Sequence, residues 1–468
     1  MPDGMRTETT AMSAAPHTLT ATEGTALVRA GKMSALEWLD DCLARTRAVN
    51  GPVHAWQYLD EEQARAGART LDRRDWAGWT PEPLLAGLPL GVKDVFNTED
   101  MPTAMGSDLW HGFTPGNDAR VVSRARLLGA LMMGKTVTAE FATHAPGLTT
   151  NPHSADHIAG TSSTGSAAAV LCGMAPAALG TQTAGSIIRP SSYLGVVGFK
   201  PSFGTVPRTG VLKTADTLDT IGWITRSVAD ARLLLDALRV HGKNYPNVER
   251  GLSRIAAKRN GNRPWRVGLA LPPTWDHAAP YAREALTAYA NDLTRRHNGI
   301  EVVEMDVRAP FAEAHDLHRI IYHKQLAYYF KKELAKPDTV SPIFRAVTDD
   351  GNSITTEEYL AALKRQTALE HRLDAVMADV DVLITLSVCG EPPRWDDERG
   401  EPADSCLIWT LCGAPSMNLP LFTGPQGLPF GAQLVAPRYG DYTLLELAEI
   451  LFPGTVPVFT PAEAPVSA

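Results

Sequence analysis

From Leu90 to about Val240 the chain alternates short apolar runs with helical patterns, and this constrains its fold more than any other feature. LPLGVKDVF alternates like a strand over Leu90–Phe96. VVSRARLLGA, LMMGKTVT, SAAAVLCGM and AALGTQT follow it, and a helical pattern over Arg226–Val240 closes the segment. Strands alternating with helices can bury both sheet faces only under helical layers. The pattern therefore predicts an α/β fold, one large domain in which a mixed, twisted β-sheet is covered by helices.

The flanks extend this reading. Ser34 and Glu37 form a capping box before a run with Leu36, Leu39 and Leu43 at helical spacing. A second helix is predicted over Asp60–Arg74. Residues 1–17 read as a flexible N-terminal tail, leaving 18–468 as the domain. After Gly242 the composition turns basic and polar, and KNYPNVERGLSRIAAKRNGNRP reads as a surface loop or insertion. VGLALP then reads as a strand, and Tyr281–His297, Phe311–Ala335 and Thr355–Val380 as helices. Strand-like runs return at DVLITL and GAQLVAP. The stretch 243–380 is expected to be a variable, partly helical insertion.

Composition excludes several classes. Of 468 residues, 44% are hydrophobic and 21% charged, as in ordinary globular proteins. A net charge of −8 argues against a nucleic-acid or anionic-membrane surface. No apolar run approaches the roughly 18 residues of a membrane span. Cys42, Cys172, Cys389, Cys406 and Cys412 are odd in number and scattered, which suits reduced, cytoplasmic thiols rather than a disulfide framework or a zinc site.

Three glycine-containing turns could carry chemistry: GLPLGVKDVFNTEDMPT with Lys93, AGTSSTGSAAAV with Ser162 and Ser163, and GTQTAGSIIRPSS with Ser186. Lys93 lies between apolar neighbours, which draw it inward. Burial disfavours the charged amine, and a neutral amine can serve as a general base near neutral pH. Lys135 in MMGKTVT has a similar setting and competes for that role. Serines in such turns also serve simply as helix caps. Gly129–Thr136, GALMMGKT, matches a phosphate-loop pattern formally, but its ALMM interior reads as a buried strand. The G-x-S-x-G nucleophile elbow is absent around all three serines.

Together these pieces resemble the amidase signature family. The resemblance is carried by the lysine in GVKD, the double serine in GTSSTGS, the serine in GTQTAGS, and the runs GKTVTAEF and GVVGFKPSFGTVPRTG. It covers about 34–240 and 381–453. It implies an amidase fold with Ser186 as nucleophile, Ser162 as a bridging serine after a cis Thr161–Ser162 peptide, and Lys93 as base. Backbone N–H groups of Thr183, Ala184, Gly185 and Ser186 would hold the oxyanion, which explains why that stretch carries so little bulk. The sequence departs from the pattern at Thr161 and Thr164 (for glycines), at Gln182 (for an aspartate), at Ala184 (for a glycine) and at Arg189, one residue late. Met105, Glu140, Phe141 and Trp409 fall in segments that border the family's pocket and stand as substrate-contact candidates.

His315, His318 and His323 share a predicted helix, but no third ligand falls at a metal-site spacing, so a polar helix face is the simpler reading. Tyr322, Tyr328, Tyr329 and Phe330 read as helix packing, and Asp396–Glu398 as a solvated loop. The expected activity is cofactor- and metal-free hydrolysis of a small-molecule carboxamide through an acyl-enzyme. A carbamate, hydrazide, urea-like or ester substrate, a glutaminase subunit of an amidotransferase, and a non-catalytic binding protein are the alternatives. No nucleic-acid or membrane partner is expected, and a homodimer stays open.

Overall fold

The computed structural model describes residues 14–76, 78–258, 263–397 and 401–462. Among these residues eleven strands form one sheet. They are β1 (Trp56–Tyr58), β2 (Pro89–Lys93), β3 (Leu131–Thr136), β4 (Ala177–Gln182), β5 (Val197–Lys200), β6 (Thr220–Thr225), β7 (Trp265–Leu271), β8 (Ile300–Asp306), β9 (Val382–Leu386), β10 (Ser416–Thr423) and β11 (Pro429–Val435). Their order is β1-β3-β2-β4-β6-β5-β10-β11-β9-β7-β8. β3, β2 and β4 run parallel, as do β9, β7 and β8, while the strands between are antiparallel. The sheet is thus mixed and helix-covered, as the alternation implied.

Burial explains the sequence patterns. Every residue of β2, β3, β4, β5, β6 and β9 is buried, so these strands read as continuous small or apolar runs. The helix Thr164–Leu171 is also buried all round, which accounts for its string of alanines. Gly165 lies so close to β3 that a Cβ would run into the backbone of Val137 and Ala55. At the sheet's edge, β8 exposes Glu301, Glu304 and Asp306, charges that discourage further pairing.

Several boundaries differ from expectation. β2 ends at Lys93, because the N–H groups of Val95 and Phe96 both turn back onto the Lys93 carbonyl. The stretch read as a surface loop holds a helix, Pro246–Lys258. Val248, Leu252 and Ile255 supply its apolar side, and the first two pack on Val240, Tyr439 and Tyr442. The region 243–380 contributes β7 and β8 to the common sheet as well as helices, so it is woven into the fold. Of the expected tail, residues 1–13 lie outside the described residues. Pro16–Thr18 forms a 3-10 turn whose His17 bonds Asp41 through both its backbone N–H and its ring.

Candidate active site

Parallel neighbours β2 and β4 end on the same side of the sheet, and the three expected catalytic residues gather there. Ligand sites in open α/β sheets commonly lie beyond the carboxyl ends of such strands. Lys93 closes β2 and is fully buried. Its Nζ is hydrogen-bonded to Ser162 Oγ and to Thr181 Oγ1 on β4, at 2.8 Å each. Among the described residues no carboxylate lies within ion-pair distance of it. Burial pushes its pKa well below that of an ordinary lysine, against a smaller opposing pull from the charge of Asp219.

Lys135, one strand over, is equally buried but differently used. Its Nζ pairs with Asp94 Oδ1 at 3.1 Å and donates to Thr103 Oγ1 and the Pro102 carbonyl. That lysine is held in a buried ion pair, and among the described residues it makes no hydrogen bond to either serine turn. GALMMGKT, the formal phosphate-loop match, is largely β3 itself, with every strand position buried.

The Thr161–Ser162 peptide is cis. The turn around it is braced on three sides. Thr161 donates through N–H and hydroxyl to Glu401, Ser163 N–H donates to the Ser186 carbonyl at 3.2 Å, and Ser163 Oγ donates to the Thr181 carbonyl. Ser186 therefore stands beside the Ser162–Ser163 turn, with 8% of its surface exposed.

Gln182 shapes the loop that carries Ser186. Its Oε1 accepts from the N–H groups of both Ile187 and Ile188, closing the turn over Thr183–Ser186. Its Nε2 donates to Thr410 Oγ1 at 3.0 Å. An aspartate could make the first pair of bonds but could not donate the third, so this departure from the family pattern has a local use. The N–H groups of Thr183, Ala184, Gly185 and Ser186 have no acceptor among the described residues. Unpaired N–H groups in a nearly buried turn are what an oxyanion site requires.

Arg189 ties the loop to a distant segment. Its Nε bonds Asp404 at 2.7 Å and its Nη1 bonds Glu401 at 2.8 Å, all three groups being largely buried. Arg189→Met strands two buried carboxylates, so a loss of about 3–5 kcal/mol is expected, read by denaturant unfolding.

Two cavities flank these elements. One, of about 240 Å³, is lined by Thr181, Thr183, Thr214 and Asp219, with Arg208 and Lys213 among the remaining lining residues. The other, of about 260 Å³, is more apolar and is lined by Thr161, His144, Ile158, Ile343, Trp395 and Glu401. None of the four substrate-contact candidates lines either cavity. Phe141 and Trp409 are wholly enclosed, Phe141 against Phe330 and Phe344, Trp409 against Phe311. The Glu140 carboxylate accepts from Ser341 N–H, and Met105 retains 9% exposure. Met105, Phe141 and Ala142 all adopt positive φ (58°, 46° and 58°). Strained non-glycine backbone of this kind gathers at functional sites, and Ala142 lines the first cavity.

The three histidines disperse. His315 Nε2 meets the Asp404 carbonyl, His318 Nε2 the Thr183 carbonyl, and His323 Nδ1 the Asp350 carboxylate. Among the described residues no cluster of histidine, cysteine and carboxylate groups could hold a metal, and no helix is long and apolar enough to cross a membrane. Glu398 lies outside the described residues, while Asp396 is exposed and paired with Arg394.

A family model described as Amidase matches residues 37–445. The chain belongs to the amidase signature family. Relatives within it include a glutamyl-tRNA(Gln) amidotransferase subunit from Corynebacterium glutamicum, 30% identical with 91% of this chain and 94% of that one covered. The subunit of the same name from Streptomyces coelicolor is 32% identical, with 92% and 94% covered. Among solved structures, an amidase superposes with a TM-score of 0.81 at 30% identity, over 92% of this chain and 99% of that one. The peptide amidase of Stenotrophomonas maltophilia superposes at 0.79 and 27% identity, over 95% and 99%. This is a family of enzymes acting on carbon–nitrogen bonds, and the match spans Lys93, Ser162 and Ser186 alike.

Proposed function

We propose that the chain is a serine amidohydrolase that cleaves a small-molecule carboxamide. Ser186 Oγ attacks the carbonyl carbon while its proton passes through Ser162 to neutral Lys93. The carbonyl oxygen takes up the negative charge against the N–H groups of Thr183–Ser186. Collapse of the tetrahedral intermediate breaks the C–N bond, and the amine leaves with a proton returned along the same relay. Water then attacks the acyl-enzyme, again giving its proton to the relay, and frees the acid. The observation that carries this reading is the buried Lys93, hydrogen-bonded to Ser162 and with no carboxylate at ion-pair distance among the described residues. The five free thiols fit a reducing, cytoplasmic setting.

Intact-mass spectrometry after treatment with a fluorophosphonate tests the reading. A single adduct on Ser186 is the expected result. An unmodified protein at both neutral and alkaline pH would overturn it in favour of a binding role. Aryl and aliphatic amides, carbamates, hydrazides, urea-like compounds and esters can then be ranked on the same nucleophile. A second reading, a glutaminase subunit of an amidotransferase, is favoured by the likeness to the two amidotransferase relatives. It requires glutamine to be hydrolysed, and the rate to rise when companion subunits are supplied.

A further inference from the structure

The carbonyl oxygens of the Ser186 loop are tied down one by one. Thr183 O accepts from His318 Nε2 at 2.9 Å, Ala184 O from the Thr410 hydroxyl at 2.8 Å, and Gly185 O from Arg189 N–H at 2.8 Å. These peptides are trans, so each N–H points opposite to the carbonyl of its own peptide. Holding Thr183 O therefore aims Ala184 N–H, holding Ala184 O aims Gly185 N–H, and holding Gly185 O aims Ser186 N–H. These are three of the N–H groups left without an acceptor.

Two of the three anchors are side chains from outside the loop, and one comes from the region 243–380. His318 lies on the helix Ala314–Tyr329 and is buried. A carbonyl only accepts, so Nε2 must carry the ring proton. Burial pushes the pKa down to about 4, leaving a neutral imidazole whose one N–H is committed to Thr183. His315, a turn earlier, meets the carbonyl of Asp404, the residue that pairs with Arg189. The helix is thus held by one bond to the loop and one to the segment that anchors Arg189.

We propose that His318 is a positioning residue of the oxyanion site, its Nε2–H fixing the Thr183–Ala184 peptide so that Ala184 N–H faces the acyl oxygen. The proposal rests on Ser186 being the nucleophile. It gives the 243–380 region a part in the chemistry.

The test is the rate of fluorophosphonate labelling at Ser186, with kinact and KI resolved separately, in wild type and in His318→Leu, His318→Gln and His318→Asn. Glutamine can present an N–H where Nε2 stood, whereas the shorter asparagine cannot. His318→Leu and His318→Asn are expected to lower kinact by roughly 100-fold, with KI changing less than about threefold. His318→Gln should restore kinact to within about threefold of wild type. A merely structural histidine would lower the melting temperature and leave kinact per folded molecule untouched. Wild-type kinact in His318→Leu, or equal rates in the glutamine and asparagine variants, would overturn the proposal while leaving the nucleophile in place. The glutamine–asparagine comparison decides the matter if the leucine variant does not fold. Absence of labelling in wild type would overturn the nucleophile reading, and this proposal with it.

Discussion

Ser186→Ala is expected to lower kcat/KM on any amide the wild type cleaves by roughly 10⁴-fold or more, the largest effect of any single change. The backbone N–H groups of the loop survive the substitution, so substrate should still bind. The Ser186 side chain makes no hydrogen bond among the described residues, and unfolding free energy should stay within about 0.5 kcal/mol of wild type. Steady-state kinetics paired with denaturant unfolding checks both halves. A variant that keeps more than a tenth of the wild-type rate would show that the nucleophile lies elsewhere.

Lys93→Met comes second, with a loss of about 10²–10⁴-fold expected, the usual worth of a positioned general base. Its pH signature is more telling. The base must be neutral, so wild-type kcat/KM is full above the Lys93 pKa and falls as pH drops through it. The residual activity of the methionine variant should lack that limb. Stability carries the same sign. In the unfolded chain Lys93 titrates near its ordinary value of about 10.4, and in the fold it titrates well below. Between those values the unfolded state binds the extra proton, so wild-type stability rises with pH. Lys93→Met should flatten that rise and gain stability toward neutral pH. Kinetic pH profiles and denaturant titrations on both proteins measure it.

The reach of the sequence can be judged from particular residues. Lys93, Ser162 and Ser186 stood out only through several spaced motifs taken together, since each turn alone reads equally well as a cap or a tight turn, and the structure brings the three to one end of β2 and β4. Lys93 and Lys135 could not be told apart by pattern, since each follows an apolar run. What separates them is Asp94, which folds across to Lys135 on the neighbouring strand, while Lys93 has no carboxylate at ion-pair distance among the described residues. The helix Pro246–Lys258 was hidden by its charged exposed side, its burial depending on Tyr439 and Tyr442 far along the chain. Phe141 and Trp409 lie in segments that border the family's pocket, and core packing, the simpler role for such apolar side chains, is where the structure puts them. His318 was visible only as one of three histidines on a helix. Its contact with Thr183 spans 135 residues, and no local pattern reports a bond of that range. The Arg189 pairs with Glu401 and Asp404 span 212 and 215 residues and were invisible for the same reason.

The five free cysteines are all buried. Burial raises the pKa of every one, Cys172 and Cys389 to about 12 and the other three further. A thiol that is neither ionised nor accessible is closed to alkylating reagents while the chain is folded. The molecule therefore carries its own clock for opening. Each thiol that iodoacetamide captures dates the exposure of one named place, and Cys406, packed beneath Gly185, dates the loosening of the nucleophile loop itself.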